Sequence, residues 1–124
     1  MEDGVVGAAL EVLEIADVKP LIERAEAAGS PWSAEELAYA RAKRDPERRL
    51  AARLAAKRAA LRLLGAGFDA RDAEIRRGRT GPPQLRLSER ARRRLVELGA
   101  ERALVSLTHG RAHAAAAVLF LRAR

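Results

Sequence analysis

The sequence contains no cysteine, which excludes disulfide bonds, cysteine-ligated zinc and a cysteine nucleophile anywhere in its 124 residues. It also has no apolar run that approaches the roughly 20 residues of a membrane-spanning helix. The first residues, MEDGVVG, carry acids where an export signal needs lysine or arginine. We therefore expect a cytoplasmic protein with no membrane association.

Aromatic side chains are scarce and make up only 3% of the residues. The four that occur are Trp32, Tyr39, Phe68 and Phe120. The hydrophobic fraction is nevertheless 48%, so the chain can form a core, which must consist mainly of Leu, Val, Ile and Ala. Such small side chains gain little from burial at about 25 cal/mol per Å² of apolar surface. We therefore expect a single domain over residues 1–124 that is stabilised further by association of copies.

Lysine is scarce as well, because 21 of the 24 basic residues are arginine. The net charge of +7 is unevenly distributed: residues 1–40 carry two bases and nine acids, whereas residues 41–124 carry 22 bases and eight acids. Arginine presents a planar fork that suits phosphate and carboxylate, so the excess favours a phosphate-bearing ligand or an acidic protein partner. A GC-rich genome, which favours arginine and alanine codons, is an alternative cause that stays open.

Turn, cap and periodicity signals predict the element order β-α-α-α-β-β-α-β-β. Ser33 and Glu36 have the spacing of a capping box. Asp45 is predicted to cap the longest helix, with Pro46 in its first turn and Gly65 at its end. The predicted strands are 5–15, 73–76, 82–87, 103–107 and 114–121; the predicted helices are 20–28, 33–44, 46–64 and 88–98; turns are predicted at 77–81 and 108–112. The pattern indicates an α+β domain with helices packed on a largely antiparallel sheet.

The longest helix combines an apolar face with a run of positive charge. Its leucines recur at period 3.6, at Leu50, Leu54, Leu61 and Leu64. Its alanine-rich middle would allow another backbone to pack closely. Its basic residues include Arg53, Lys57, Arg58 and Arg62, and a solvated basic face is the simplest interpretation of such a run.

Five segments of the chain together point to a known family. They are GAALEVLEIADV, WSAEELAYA, RRLAARLAAKRAALRLLGAG, DAEIRRGRTGPPQLRLSERARRRLVELG and VSLTHGRAHAAAAVL. In their order and spacing the chain resembles, over nearly its whole length, the bacterial holo-[acyl-carrier-protein] synthases, which are small 4′-phosphopantetheinyl transferases. The resemblance implies the α+β fold of that family and a homotrimer with active sites at the subunit interfaces.

The same resemblance implies a reaction and its partners. The family transfers 4′-phosphopantetheine from coenzyme A to a serine of an acyl carrier protein of fatty acid or polyketide biosynthesis, releasing adenosine 3′,5′-bisphosphate. Mg²⁺ normally grips the diphosphate through an aspartate of the first strand and a glutamate of the long helix. The corresponding residues here are Glu11 and Arg58. A guanidinium repels Mg²⁺, so the family metal site is broken unless Glu11 and Glu14 hold the ion.

Two interpretations of Arg58 stay open from the sequence. Its guanidinium can clamp a phosphate in place of the metal, or it can pair with Glu11 or Glu14 in a structural ion pair. In the first case phosphate binding survives without the Lewis acidity of the metal.

Further site residues follow from the resemblance. The catalytic set is Glu11, Arg58, Lys57 and His109, with His109 as base or phosphate donor. The coenzyme A contacts are Arg53, Arg62, Gly65, Gly67, Pro83 and His109. The carrier-protein contacts are Arg41, Arg44, Arg48 and Arg49. His109 and His113 lack the helical spacing of a zinc pair, and nucleic acid binding is not expected, because no set of exposed aromatics is predicted.

Three functions remain compatible with these residues. One is a working transferase with an altered site. The second is an inactive homologue that binds coenzyme A or a carrier protein without transfer. The third is a repurposed enzyme that acts on a carrier-bound or pantetheine-bound substrate, with Glu11, Glu14 and His109 as acid–base groups. A shared fold does not separate them, because function depends on the site.

Overall fold

The computed structural model describes residues 4–78 and 80–122. The elements along the chain are β1 (Val5–Glu14), α1 (Ile15–Glu23), α2 (Ala34–Arg41), α3 (Pro46–Leu64), a 3₁₀ turn (Ala70–Asp72), β2 (Ala73–Arg76), β3 (Gln84–Leu87), α4 (Glu89–Glu97), β4 (Arg102–His109) and β5 (His113–Leu121). Strands β1, β5 and β4 form one antiparallel sheet in that order, and β2 pairs with β3 in a separate hairpin. The α+β expectation is therefore confirmed. No helix in the described ranges has the length and apolarity needed to cross a membrane.

Helix α3 packs against one face of the three-stranded sheet. Pro46 begins it with a fixed φ, and Gly65, with φ of 94°, ends it in a conformation that other residues rarely adopt. Its inner surface consists largely of fully buried alanines: Ala51, Ala55, Ala56, Ala59 and Ala60. These short side chains let the helix lie close to the central strand β5, where Ala116 packs against Ala55 and Ala56 in the same buried cluster.

The opposite face of the sheet is apolar and open. Side chains alternate between the two faces along each strand, so one set lies under α3 and the other points away from it. Leu10, Val12 and Leu104 on the outward set are 62%, 57% and 45% exposed, and Ala117 and Leu119 of β5 lie between them. These five residues are called the open sheet face below. Nothing in the described part of this chain covers it.

A buried ion pair connects α2, α3 and β2. Lys57 Nζ lies 2.6 Å from Glu36 Oε1, and both side chains are almost fully buried. The carboxylate also accepts hydrogen bonds from the backbone N–H groups of Ser33, at 2.8 Å, and Ile75, at 2.7 Å. Every oxygen of this buried carboxylate is thus hydrogen-bonded, which makes the burial of its charge tolerable. Glu36 therefore acts both as the last residue of a capping box and as the anion of the core.

Most of the predicted element order is confirmed, with local corrections. The capping box of Ser33 and Glu36 is present, and Ser88 caps α4 by accepting from the N–H of Ala91. Asp45 is the N-cap residue of α3 as predicted, but its side chain makes no capping hydrogen bond and accepts instead from Arg49 Nε at 3.0 Å. This hydrogen bond lowers the pKa of Asp45. Part of the predicted turn at 77–81, Arg79, lies outside the described residues.

Several predicted boundaries also move, and α1 and α2 end at Glu23 and Arg41 rather than at residues 28 and 44. Helix α1 begins at Ile15 rather than at residue 20, and Pro20 lies inside it, because burial of Ile15 and Val18 anchors the first turn directly after β1. Strand β3 begins at Gln84 rather than at residue 82, since the two preceding prolines have no N–H for the ladder. The last hairpin is tighter than predicted, and its turn, 110–112, is closed by a hydrogen bond from Gly110 N to the His113 carbonyl.

The buried pair predicts a specific pattern of stability. Lys57→Met should lower the free energy of unfolding by about 3–5 kcal/mol, because it leaves the Glu36 carboxylate buried without a counter-charge. Adding Glu36→Gln to this variant should recover much of the loss, since no uncompensated charge then remains. Urea unfolding at pH 7 and one fixed protein concentration measures both effects. Arg41→Met, which removes an exposed ion pair with Glu26, is the control and should change little. Equal losses in the single and double core variants would contradict the charge argument.

Candidate active site

The predicted metal position contains an ion pair between two protein side chains. Glu11 lies on β1, on the same face as α3, and its Oε2 is 2.5 Å from Arg62 Nη1. The Glu11 side chain is mostly buried, whereas that of Arg62 is 58% exposed. The carboxylate that the family resemblance assigns to a metal is thus neutralised by an arginine of the same chain.

Arg58 is not part of that pair or of any other among the described residues. It lies one helical turn before Arg62 on α3 and is exposed. Glu14, the other carboxylate considered for it, has its nearest basic partner in His113 Nε2, at 3.9 Å. The structural ion pair of Arg58 with Glu11 or Glu14 is therefore wrong, and the guanidinium of Arg58 remains available to an anion.

These residues do not fit a Mg²⁺ ion held in the family manner. Mg²⁺ requires an octahedral set of oxygens, and a carboxylate already paired with arginine is a poor ligand beside a second free guanidinium. Within the described ranges there is also no group of three or more His, Asp or Glu side chains placed to hold a metal ion.

Lys57 lies away from this exposed arginine face. It is 1% exposed and bound to Glu36, so the solvated basic helix face predicted from the sequence does not include Lys57. The helix presents Arg58 and Arg62 on one side and turns Lys57 into the core. The part that Lys57 can play in the site is to hold α3 in place against α2 and β2.

Arg53 is also buried, but its polar atoms are incompletely satisfied. Its guanidinium stacks on the ring of Tyr39 at 4.2 Å, and its Nε has no hydrogen-bond partner in the described structure. Burial lowers the pKa of Arg53. It lines a small cavity of about 250 Å³ together with Tyr39, Arg76 and Arg77. This cationic cavity is consistent with the predicted contact of Arg53 with a phosphate group.

His109 stands at the end of β4, on the opposite edge of the sheet from Glu11. Its ring is half-buried, and its buried Nδ1 has no hydrogen-bond partner among the described residues. An unpaired buried ring nitrogen is unusual and is the kind of group that a ligand or a neighbouring copy would satisfy. His113 is exposed and lines a separate cleft of about 450 Å³ with Glu14, Glu47 and Arg111.

Helix α3 separates the two ends of the predicted catalytic set. Glu11 pairs in register with Ala116 of the central strand, and Ala116 pairs with Leu107 of β4. His109 is two residues further along β4, so two strand spacings of about 5 Å and two residue rises of about 3.4 Å separate its backbone from that of Glu11. Because α3 lies over β5 between them, Glu11 and Arg58 do not converge with His109 within one chain.

The predicted glycine loop after α3 is held by arginines of α4. Gly65 and Gly67 both have φ of 94°. Arg94 Nε donates to the Leu64 carbonyl at 2.9 Å, and Arg90 Nη1 donates to the Gly67 carbonyl at 2.7 Å. The Leu64 and Gly67 carbonyls are therefore bound by α4, and the N–H of Gly65 donates to the Leu61 carbonyl at 3.0 Å. Pro83 is half-buried just before β3, on the hairpin rather than on the loop.

A second buried carboxylate, missed by the sequence analysis, fixes this loop region. Asp72 accepts from Ser88 Oγ at 2.6 Å and from Arg90 Nε at 2.8 Å. Although burial opposes its ionisation, these hydrogen bonds lower the pKa of Asp72. No local signal identified it, because its partners lie 16 and 18 residues away.

The predicted carrier-binding arginines are only partly free. Arg41 pairs with Glu26 and Arg49 pairs with Asp45, whereas Arg44 and Arg48 have no ion pair among the described residues. Trp32, which nucleic acid binding would need exposed, is buried and donates its indole N–H to the Leu50 carbonyl at 2.9 Å.

Comparison with known proteins places this arrangement in a family. No family model matches the chain. The chain is 37% identical over 116 residues to the holo-[acyl-carrier-protein] synthase of Moorella thermoacetica, covering 90% of this chain and 91% of that protein. It is 35% identical over 127 residues to the enzyme of that name from Anaeromyxobacter sp. strain K, covering 93% and 94%.

The fold also matches solved structures. The holo-[acyl-carrier-protein] synthase of Helicobacter pylori, solved in complex with coenzyme A, superposes with a TM-score of 0.75 at 18% identity, covering 92% of this chain and 99% of that one. Identity at this level shows the fold alone, whereas the two relatives match at family level over nearly their whole length. This chain belongs to the holo-[acyl-carrier-protein] synthase family.

Proposed function

We propose that this protein transfers 4′-phosphopantetheine from coenzyme A to a serine hydroxyl of an acyl carrier protein. The observation that carries the proposal is the match to holo-[acyl-carrier-protein] synthases at 37% identity over nine-tenths of the chain. The structure of a relative bound to coenzyme A supports the donor. The exposed cations Arg58 and Arg62 on α3 supply the charge that a diphosphate donor requires.

The transfer reaction requires a group that binds the diphosphate and a group that accepts a proton, and these lie at opposite edges of the sheet. The carrier serine oxygen attacks the phosphorus that bears the pantetheine arm, and the bond from that phosphorus to the bridging oxygen breaks. Adenosine 3′,5′-bisphosphate leaves with the bond electrons, while His109 accepts the serine proton. An imidazole ring nitrogen that has no hydrogen-bond partner among the described residues suits that proton transfer. Arg58, beside the Arg62–Glu11 ion pair, neutralises charge that develops on the leaving oxygen.

The separation of these groups supports a site shared between copies. Within one chain α3 stands between Glu11 and His109, so a phosphorus held beside Glu11 and Arg58 is not within hydrogen-bond reach of His109. The open sheet face is the kind of exposed apolar surface that marks an interface. We propose a homotrimer in which the Glu11 edge of one copy meets the His109 edge of the next, because head-to-tail contacts close into rings.

The acidic acceptor fits the charge of the chain. Arg44 and Arg48, in the predicted carrier-binding cluster, have no ion pair among the described residues. Arg41 and Arg49 are paired with Glu26 and Asp45, and carboxylates of an acidic protein surface would compete with these two acids for the arginines. Such rim charges contribute mainly to the association rate and its salt dependence.

The first prediction tests transfer directly. Incubation of an apo-acyl carrier protein with coenzyme A and this protein should add one phosphopantetheine group to the carrier, measured by intact-mass analysis. His109→Ala should slow transfer by about 100-fold or more, as expected for loss of a general base. The control is His113→Ala, whose ring lies in the separate cleft. Bound coenzyme A with no mass gain under any condition would contradict transfer and favour the inactive or repurposed homologue.

The second prediction concerns assembly. Sedimentation equilibrium at micromolar concentration should give a species of three times the 13.5 kDa chain mass. Leu10→Glu with Val12→Glu should dissociate it, because two carboxylates would be buried in an apolar interface. Val96→Glu is the matched control, since Val96 is 69% exposed but lies on α4, away from the sheet. A 13.5 kDa species for the unaltered chain would remove both the trimer and the shared site.

The third prediction tests the shared site. Arg58→Ala and His109→Ala should each be impaired alone at subsaturating coenzyme A. After mixing and reassembly, random pairing should restore about a quarter of the interfaces with both intact halves. Transfer should rise accordingly after mixing and should not rise with either variant alone. Absence of any gain, with mixed trimers demonstrated by mass, would place both residues in a site within one chain.

A further inference from the structure

We infer that Arg58 replaces the metal ion of the family site, so that this chain binds the diphosphate of coenzyme A through a guanidinium and without Mg²⁺. The inference rests on the proposed function for the identity of the ligand. It goes beyond that function because it specifies which atom group grips the diphosphate and makes ligand binding independent of a cation.

The first support is that the carboxylate left from the metal pair is already occupied. Glu11 is mostly buried and its Oε2 lies 2.5 Å from Arg62 Nη1. A carboxylate in this state neither recruits a divalent cation nor repels a bound phosphate, since its charge is balanced within the chain. Arg62 thus performs the neutralisation for which a metal-binding carboxylate would need its ion.

The second support is that Arg58 has no partner among the described residues. It occupies the exposed side of α3, four residues before Arg62, where i and i+4 side chains lie on the same helix face. Neither Glu11 nor Glu14 holds it, and no hydrogen bond or ion pair ties it to any other described residue. Its planar fork can donate two parallel hydrogen bonds to phosphate oxygens, which a metal-coordinated carboxylate cannot do.

The third support is the net charge of the site. In the family site, two carboxylates, one basic residue of the long helix and Mg²⁺ together carry a net charge of +1. Glu11, Arg58 and Arg62 together also carry one positive charge, without an ion. The electrostatic requirement of a diphosphate is therefore met at the same position by side chains of α3 and β1 alone. Adding Mg²⁺ would place a divalent cation beside two guanidinium groups.

Binding measurements test this inference separately from activity. Coenzyme A is titrated calorimetrically into the full chain, with EDTA and then with excess Mg²⁺, and the dissociation constants should agree within about twofold. Arg58→Ala should weaken binding by about 10- to 100-fold, the loss expected for hydrogen bonds between charged groups. Arg58→Lys should recover only part, because the charge returns without the fork. Arg92→Ala is the matched control, since Arg92 is an exposed helix arginine without a described partner, and it should have no effect.

A second ligand locates the contact. 3′-Dephospho-coenzyme A keeps the diphosphate and lacks the 3′-phosphate, so the factor lost in Arg58→Ala should be the same for both ligands. If Arg58→Ala weakened binding of coenzyme A but not of 3′-dephospho-coenzyme A, Arg58 would lie at the 3′-phosphate, and the inference would be overturned. An Arg58→Ala affinity equal to that of Arg92→Ala would overturn it as well. Circular dichroism establishes that each variant remains folded.

The titrations with EDTA and with excess Mg²⁺ separate this inference from the proposed function. If the unaltered chain binds coenzyme A only when Mg²⁺ is present, the guanidinium does not replace the metal, while the proposed donor stands. If the chain binds coenzyme A in neither condition, the proposed donor fails, and the inference fails with it.

Discussion

Helix α3 lies directly on strand β5, and the alanines at its inner surface make that close approach possible. Its position decides where each charged side chain of the helix goes. Residues on the flanks reach solvent at the sheet edges, as Arg58 and Arg62 do, whereas Lys57 is directed at the carboxylate of Glu36. A bulkier residue at one of the alanine positions would lift the helix from the sheet and disturb both the buried pair and the arginine face.

The same packing supports the proposed homotrimer with a shared site. One helix covers one face of a three-stranded sheet and leaves the other, apolar face open. That helix also divides the edge that carries Glu11 from the edge that carries His109. In the proposed homotrimer, one association would both bury the open sheet face and complete the divided site.

Local signals were sufficient for the elements and insufficient for the site. The capping box at Ser33 and the glycine end of α3 were readable because the interacting groups lie within a few residues of each other. The partner of Glu11 could not be predicted from the sequence, because Arg62 lies 51 residues away. Arg58, one helical turn earlier, is an equally good candidate by sequence. Only the placement of α3 over the sheet selects between these two arginines.

The burial of Lys57 had a signal that the family resemblance obscured. Lys57 lies seven residues after Leu50, three after Leu54 and four before Leu61, and so belongs to the leucine stripe of the helix. A charged residue on an apolar stripe needs a buried counter-charge, and the chain supplies one in Glu36, 21 residues earlier. Helical periodicity thus predicts that Lys57 is buried, but it does not identify which carboxylate receives it.

The arrangement of charge also bears on the difference between a transferase and a binding protein. Gripping a diphosphate requires the α3 face, with Arg58 free and Glu11 neutralised by Arg62. It does not require a base at the other edge of the sheet. A protein kept only for binding would have no need of an unpaired, buried ring nitrogen at His109, which costs stability unless a ligand or neighbouring copy satisfies it. In the proposed shared site, His109 would act as the base, which would give that cost a catalytic reason; α3 would bind the diphosphate, and a neighbouring copy would supply His109.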